Sequence, residues 1–173
     1  MHFESKSRWL FAGFALVPLA LLAAGIVLQQ LKGLAPCPLC VMQRAAYVLI
    51  ALIALVAALH QPKGRGTAGY FSVLAMVALV GLGVAVRHVW VLHHPKFGCG
   101  IDVLEQLVND LPTAKLLPWL FHASGECTAP QPAILGLQVP EWSLIWFGLL
   151  FLGSLIFALR SRAALRAAAR SRV

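Results

Sequence analysis

The sequence predicts an all-α membrane protein, a four-transmembrane-helix bundle with a short interfacial helix in its second external loop. Of the 173 residues, 60% are hydrophobic and 12% are charged, and the mean hydropathy is +0.82. A soluble domain of ordinary composition has about 25% charged residues. Apolar runs near the length that crosses a bilayer, about 17–25 residues, occur repeatedly along the chain. We therefore predict a single membrane domain over residues 1–173, with spans at about 10–28, 40–59, 70–91 and 142–159.

The first apolar run follows a short polar start that contains Lys6 and Arg8. A basic start before an apolar core is also typical of a cleaved signal peptide, which is the alternative interpretation of this segment. The run is longer than the usual ~7–15 residues of a signal core, and this favours a permanent span. Pro18 lies inside the run, and a spanning helix tolerates proline where neighbouring helices satisfy the freed carbonyl.

The second span must begin earlier than its clean apolar stretch. Residues 45–59 would make a helix of only about 22 Å at 1.5 Å per residue. A hydrocarbon core is about 30 Å thick. The helix should therefore start near Leu39 or Cys40, which places Gln43 and Arg44 in its first turns.

The connections differ in length and character. Residues 29–39 form the first external loop, and residues 60–69, rich in glycine and basic residues, predict a tight basic loop. Residues 92–141 form the second external loop, where apolar residues recur at helical spacing from Ile101 to Leu111. This pattern predicts an amphipathic helix that lies in the membrane interface. Packing on the tops of the spanning helices is the alternative.

Basic residues accumulate on the cytoplasmic side of membrane proteins. Both termini and the 60–69 loop are therefore predicted to be cytoplasmic, and all four cysteines external. The net charge of +8 does not indicate nucleic-acid binding, because five of these charges follow directly after a span, where they contact anionic lipid head groups. The nine of fourteen basic residues on the cytoplasmic side are Lys6, Arg8, Lys63, Arg65, Arg160, Arg162, Arg166, Arg170 and Arg172.

A Cys-x-x-Cys pair, Cys37 and Cys40, lies where the first external loop turns into the second span. Two intervening residues let the sulfurs meet within one helical turn, and the positive end of the helix stabilises a thiolate there. Arg44 follows Cys40 by four residues and lies one turn along the same face. A redox-active dithiol is the interpretation that this arrangement favours.

Other uses of the pair fit less well. A zinc site shared with Cys99 and Cys127 lacks a second Cys-x-x-Cys. Haem attachment needs a histidine where Val41 stands. A structural staple within one helical turn would restrain very little chain.

The remaining cysteines, Cys99 and Cys127, both lie in the second external loop. Outside the reducing cytoplasm a disulfide persists, and a structural disulfide that closes this loop is one interpretation. The glycines on either side of Cys99 leave its sulfur open to reaction. A mobile disulfide beside a Cys-x-x-Cys pair can pass electrons by thiol–disulfide exchange, which is the second interpretation.

Arg87 and His88 end the third span on the external side. Polar groups at this depth are functional candidates by default, although an arginine near a helix end often extends to the interface. We favour that interpretation for Arg87. His88 is a candidate hydrogen-bond donor to a carbonyl ligand within the bundle, whereas His93 and His94 are read as solvated linker.

Taken together, the motifs resemble the DsbB family of bacterial disulfide bond formation proteins. The resemblance rests on the four spans, on the Cys-x-x-Cys followed by Gln43-Arg44, on the Arg-His-Val-Trp that begins at Arg87, and on the Ser-Gly-Glu-Cys that ends at Cys127. It covers nearly the whole chain. What it implies is a multi-pass thiol oxidase of the bacterial inner membrane with its cysteine loops in the periplasm.

The resemblance also implies a role for each candidate site residue. Cys99–Cys127 would accept electrons from a DsbA-like periplasmic thioredoxin-fold oxidase, with Cys99 forming the mixed disulfide. Cys37–Cys40 would reoxidise that pair, and Cys40 would pass the electrons to a quinone, of the ubiquinone type or menaquinone. Arg44 and His88 match residues at the family's quinone site. No metal, nucleic acid or oligomer is required.

Two departures and two alternatives accompany this resemblance. The linker from His88 to Cys99 is shorter than in the family, and Arg87 stands where other members can carry an acid, which leaves the third span's quinone contacts open. A quinone-linked reductase of the vitamin K epoxide reductase type is one alternative, although its Cys-x-x-Cys is expected near the end of a late helix. A structural membrane protein with two stabilising disulfides is the other.

Overall fold

The computed structural model describes residues 2–97, 101–129 and 132–171 of the chain. The long helices alternate with short connections, and the small elements all lie between the third and fourth long helices. In chain order the elements are α1 (His2–Lys32), α2 (Pro38–His60), α3 (Arg65–His93), a 3₁₀ turn (Pro95–Phe97), α4 (Ile101–Asn109), α5 (Pro112–Leu116), α6 (Pro118–Phe121), β1 (Ala133–Ile134), β2 (Leu137–Gln138) and α7 (Val139–Arg170).

Within the described ranges, four helices are long and apolar enough to cross a membrane: α1, α2, α3 and α7. The chain is therefore a multi-pass membrane protein, and the predicted four-helix bundle is confirmed. Each helix continues beyond the predicted span at both ends. The helix α2 begins at Pro38, close to the start near Leu39 or Cys40 that the bilayer thickness predicts.

The connection between α2 and α3 is shorter than predicted. The loop expected over residues 60–69 occupies only residues 61–64, where Gln61 (φ 49°) and Gly64 (φ 55°) supply the left-handed backbone of the turn. Gly66 and Gly69, read as loop residues, lie in the first turns of α3. The basic tail is helical as far as Arg170, because alanine and arginine are strong helix formers and no glycine or proline interrupts them.

Aromatic stacking and small residues hold the bundle together. The rings of Tyr47 and Phe147 stack with centroids 4.2 Å apart, and those of Phe11 and Phe71 stack at 4.4 Å. Gly81 permits the close approach of α3 to α7, since a Cβ there would lie 2.3 Å from the Phe147 ring. Close packing at small residues is how membrane helices associate without a hydrophobic driving force.

The second external loop packs on the end of the bundle. Val108 of α4 is buried in a cluster with Val41 of α2 and with Leu120 and Phe121 of α6. Two other apolar side chains of α4 are open, with Val103 69% and Leu107 61% exposed. The predicted helix is thus present over Ile101–Asn109 and packs on α2, and its position in the membrane interface stays a prediction.

Candidate functional site

Cys37 and Cys40 lie at the start of α2, where the helix N-terminus positions both sulfurs. Cys37 is the N-cap residue with extended backbone (φ −80°, ψ 162°), and Pro38 occupies the first helical position, which favours proline. The Cys37 sulfur accepts a hydrogen bond from the backbone N–H of Cys40 at 3.2 Å. Both cysteines are free thiols with their sulfurs 2.7 Å apart. The pair can therefore close a disulfide with little movement of the backbone.

The two sulfurs have different surroundings. Cys37 is fully buried, whereas Cys40 is partly exposed and lines an apolar cleft between the helices. The hydrogen bond with the Cys40 sulfur, together with burial, raises the pKa of the Cys37 thiol. The reactive thiolate of the pair is therefore expected at Cys40 and not at Cys37.

His88 of α3 lies beside Cys37 and is also completely buried. Its Nε2 is 3.7 Å from the Cys37 sulfur, and its Nδ1 is 3.1 Å from the side-chain nitrogen of Gln43. The backbone of Cys127 also lies close to the ring. His88 therefore connects the Cys-x-x-Cys to the segment that carries the fourth cysteine.

Cys127 is disulfide-bonded and is brought against Cys37. The two residues are fully buried in one cluster together with Leu39 and Val91. The segment before Cys127 is anchored at its start, because the side chain of Asn109 bonds both the N–H (2.8 Å) and the carbonyl (2.9 Å) of Ala123. Cys127 is therefore held in the same buried cluster as Cys37, which is not among the residues that line the cleft.

A tight backbone contact fixes the same segment on the first external loop. The N–H groups of Ser124 and Gly125 both donate to the carbonyl of Pro36, each at 3.0 Å. A Cβ on Gly125 would lie only 2.2 Å from the carbonyl oxygen of Ala35, a distance that no side chain can occupy. Glycine is therefore required at position 125 for this contact.

Arg44 is half-buried one turn beyond Cys40. Its guanidinium donates to the carbonyl of Leu120 at 3.2 Å and to the side-chain oxygen of Gln29. It also interacts electrostatically with both sulfurs of the pair. These contacts fix a positive charge beside the thiols at the edge of the cleft.

The cleft has a volume of about 520 Å³ and lies between α1, α2, α7 and the β1–β2 hairpin. This size falls within the range of small-molecule sites, about 300–1,000 Å³. Apolar side chains from α1 and the tryptophans of α7 make up most of its wall. The polar residues that line it are Gln29, Cys40, Gln43, Arg44, Tyr47, His88 and Ser143.

Cys37, Cys40 and His88 are also a group of potential metal ligands, with ligand atoms within 4.8 Å of one another. The sulfur separation of 2.7 Å argues against this use. Two thiolates on a tetrahedral zinc ion, with Zn–S bonds of about 2.3 Å, lie about 3.8 Å apart. The geometry is that of a dithiol poised to form a disulfide.

The structure brings Cys37, Cys40, Arg44, His88 and Cys127 to one end of the bundle, whereas Cys99 lies outside the described residues. Arg87 is exposed and rests over the Trp90 ring at 4.6 Å, in line with its interpretation as an interfacial arginine. His93 and His94 are exposed and bond carbonyls one turn earlier in their own helix.

Sequence reasoning did not assign roles to three residues of the site. Gln43 follows Cys40 by three residues, so its position on the same helical face was a signal that could have been used. Tyr47 follows Arg44 by three residues, so the same signal was available for it, whereas Gln29 carries no such signal. Gln29 meets Arg44 only through the packing of α1 on α2, and Tyr47 bonds the Ser143 hydroxyl of α7 at 3.1 Å.

A four-span bundle with a free dithiol at one helix start and a disulfide-bonded cysteine packed against it defines the class of membrane-embedded thiol–disulfide proteins. The chain belongs to the DsbB family. The family model described as disulfide bond formation protein DsbB matches residues 7–157. The protein is therefore a disulfide-forming membrane protein, and the resemblance drawn from its motifs is confirmed.

Curated relatives support the same assignment, and each is named disulfide bond formation protein B. The relative from Cupriavidus necator is 49% identical over 150 residues, which cover 86% of this chain and 91% of the relative. That from Cupriavidus pinatubonensis is 47% identical with the same coverage. That from Aromatoleum aromaticum is 43% identical over 92% of this chain and 97% of the relative.

Proposed function

We propose that this protein is a thiol:quinone oxidoreductase that reoxidises a periplasmic DsbA-type oxidase and passes the electrons to a membrane quinone. Cys37, Cys40, Cys99 and Cys127 are the redox residues, and Arg44 and His88 belong to the quinone site. The observation that carries the proposal is the position of the Cys-x-x-Cys between two environments. Cys37 is buried in one cluster with Cys127, while Cys40 lines an apolar cleft together with Arg44.

The cleft fits a quinone. Its apolar wall suits a ring with an isoprenoid tail, and its polar groups cluster near Cys40, where quinone oxygens need donors. Arg44, Gln43 and His88 would hold the head group, and the tail would lie along α1. When bound, the quinone supplies the acceptor for two electrons and two protons, and each 30 mV of potential difference contributes about 1.4 kcal/mol.

The proposed exchange uses the four cysteines in sequence. A reduced partner thiolate attacks Cys99, and the Cys99–Cys127 bond breaks with Cys127 leaving as a thiolate. Cys127 then attacks the Cys37 sulfur, the Cys37–Cys40 bond breaks, and Cys40 leaves as a thiolate beside Arg44. The partner's second thiol releases Cys99, which displaces Cys37 from Cys127. The net result is a partner disulfide and a Cys37/Cys40 dithiol.

His88 stabilises the thiolate form of Cys37 in this scheme. The amide of Gln43 donates to Nδ1, so a neutral ring carries its proton on Nε2, which faces the Cys37 sulfur. That N–H stabilises Cys37 when it leaves Cys127 as a thiolate. The charge of Arg44 does the same for Cys40.

The proposed orientation follows the basic residues. The tail, the α2–α3 turn and the N-terminus would lie in the cytoplasm, and the cysteine end would lie in the periplasm, within the bacterial inner membrane. The whole chain would act as one four-helix domain. The exposed Val103 and Leu107 of α4 would rest in the membrane interface.

The test measures quinone reduction by the purified protein in the presence of a reduced thioredoxin-fold oxidase. The change in quinone absorbance reports the rate. Cys40→Ser and Cys99→Ser should each abolish turnover, because each removes one sulfur from the electron path. Ser154→Ala, at a buried position far from the cysteines along α7, is the control and should retain turnover. Wild-type turnover in either cysteine variant would overturn the proposal.

The structural-protein alternative makes a different prediction. Inert stabilising disulfides would stay oxidised when the quinone is removed and the reduced partner is supplied. An oxidase should accumulate free thiols under those conditions, measured by alkylation and mass shift. The vitamin K epoxide reductase type is disfavoured because the Cys-x-x-Cys opens the second spanning helix.

A further inference from the structure

A basic cleft lies at the opposite end of the bundle from the cysteines. It has a volume of about 410 Å³ and separates the start of α3 from the end of α7. Three arginines surround it, one from α3 and two from α7. The cleft is lined by Arg65, Arg162, Arg166, Ala68, Gly69, Leu165 and Ala169.

The charge of this cleft is positive, since its lining among the described residues includes three arginines and no acidic side chain. Arg162 is held in place by a hydrogen bond from its guanidinium to the Ser72 hydroxyl at 2.9 Å. That hydroxyl in turn donates to the Ala68 carbonyl at 2.7 Å. The guanidinium of Arg162 is thus held in a fixed orientation. Three positively charged side chains line the same cleft, together with small residues.

The cleft lies at the border of the hydrocarbon core. Arg65 is the first residue of α3, and Arg162 follows shortly after Leu159, where the apolar run of α7 ends. The small side chains Ala68, Gly69 and Ala169 leave space between the two helices. A ligand here would have a charged group among the arginines and an apolar part against the helices.

We propose that this cleft binds the phosphate of an anionic membrane phospholipid. Arginine presents planar N–H groups that match phosphate oxygens, and charge-assisted bonds of this kind are the strong ones. Basic pockets between spanning helices are a recurrent mode of lipid head-group recognition. The site is distinct from the cleft at Cys40 and does not depend on the proposed redox function.

The experiment compares three probes on the purified full-length protein in neutral detergent. Phosphatidylglycerol should remain bound in native mass spectra and raise the midpoint of thermal unfolding. Phosphatidylcholine, which has no net charge, and inorganic phosphate, which has no acyl chains, should do neither at the same concentration. An equal effect of inorganic phosphate would overturn the assignment to a lipid.

Two variants that remove the same charge distinguish a specific lipid site from general attraction between the lipid and the basic helix. The double variant Arg162→Gln, Arg166→Gln should weaken phosphatidylglycerol binding by about tenfold or more, since each arginine near a membrane surface contributes measurably. The control, Arg160→Gln with Arg170→Gln, removes the same charge from the same helix outside the cleft and should bind as the wild type does.

Equal weakening in both double variants would overturn the proposal, because the lipid would then sense only total charge. Thermal unfolding without added lipid shows whether each variant folds. Ser72→Ala offers a further check, since it removes the acceptor that orients Arg162 without changing the charge. It should weaken phosphatidylglycerol binding by less than the double variant does, and wild-type binding would contradict the orienting role of Ser72.

Discussion

Gly125→Ala should slow the proposed exchange between the Cys99–Cys127 pair and the Cys37–Cys40 pair while both pairs stay intact. The added Cβ would lie 2.2 Å from the Ala35 oxygen, so the segment must move away from the first external loop. Both N–H bonds to the Pro36 carbonyl are then lost. At about 0.5–1.5 kcal/mol each, the docked arrangement weakens by about 1–3 kcal/mol. Exchange between Cys127 and Cys37 should slow by about 5- to 150-fold, at tenfold for each 1.36 kcal/mol.

The assay measures quinone reduction with two electron donors. With the reduced thioredoxin-fold oxidase, turnover of Gly125→Ala should fall by that factor. With a small dithiol that reaches Cys40 through the cleft, turnover should be unchanged, because the Cys37–Cys40 pair is intact. Gly83→Ala, at an exposed glycine with open space around it, is the matched control and should behave as wild type with both donors. Equal losses with the two donors, or no loss with the protein donor, would refute the reasoning.

Three further outcomes are expected. Arg44→Ala should raise the KM for quinone and lower turnover by about tenfold or more, as loss of a preorganised charge does, whereas Arg87→Ala at the same end should have little effect on quinone kinetics. Gly81→Ala should lower the free energy of unfolding by about 1–3 kcal/mol through overpacking; a chemical denaturation curve that matches wild type would contradict the close approach of α3 and α7. In the reduced protein at neutral pH, peptide mass spectrometry should find Cys40 alkylated before Cys37, because hydrogen bonding and burial raise the pKa of Cys37; the reverse order would show that the asymmetry is wrong.

The bundle was predictable because composition and run length determine which segments enter lipid. The helix ends were not, since apolar runs mark the hydrocarbon core and not the helix. Backbone hydrogen bonds extend α7 through its basic residues to Arg170. The turn between α2 and α3 begins where it does because Gln61 adopts the left-handed conformation that ends α2. Hydropathy does not register either effect.

The site was predictable where its residues are close in sequence. Cys37, Cys40 and Arg44 lie on one helical turn or the next, so spacing alone placed them together. The contacts of Gly125 with Ala35 and of His88 with Cys37 join segments more than fifty residues apart. Such contacts depend on how the loop docks, and a single sequence contains no pattern that reports this.

The cap of α2 links the redox state of the pair to the stability of the helix start. The Cys37 sulfur accepts the N–H of Cys40, and in the reduced pair the thiolate expected at Cys40 lies in the first turn of α2, whereas the disulfide carries no negative charge there. The N-terminal dipole therefore stabilises the dithiol more than the disulfide. For a two-electron couple, each tenfold increase in the equilibrium constant that favours the dithiol over the disulfide raises the reduction potential by about 30 mV. The fold itself thus makes the Cys37–Cys40 disulfide a stronger oxidant than the same four residues would form in an unstructured peptide.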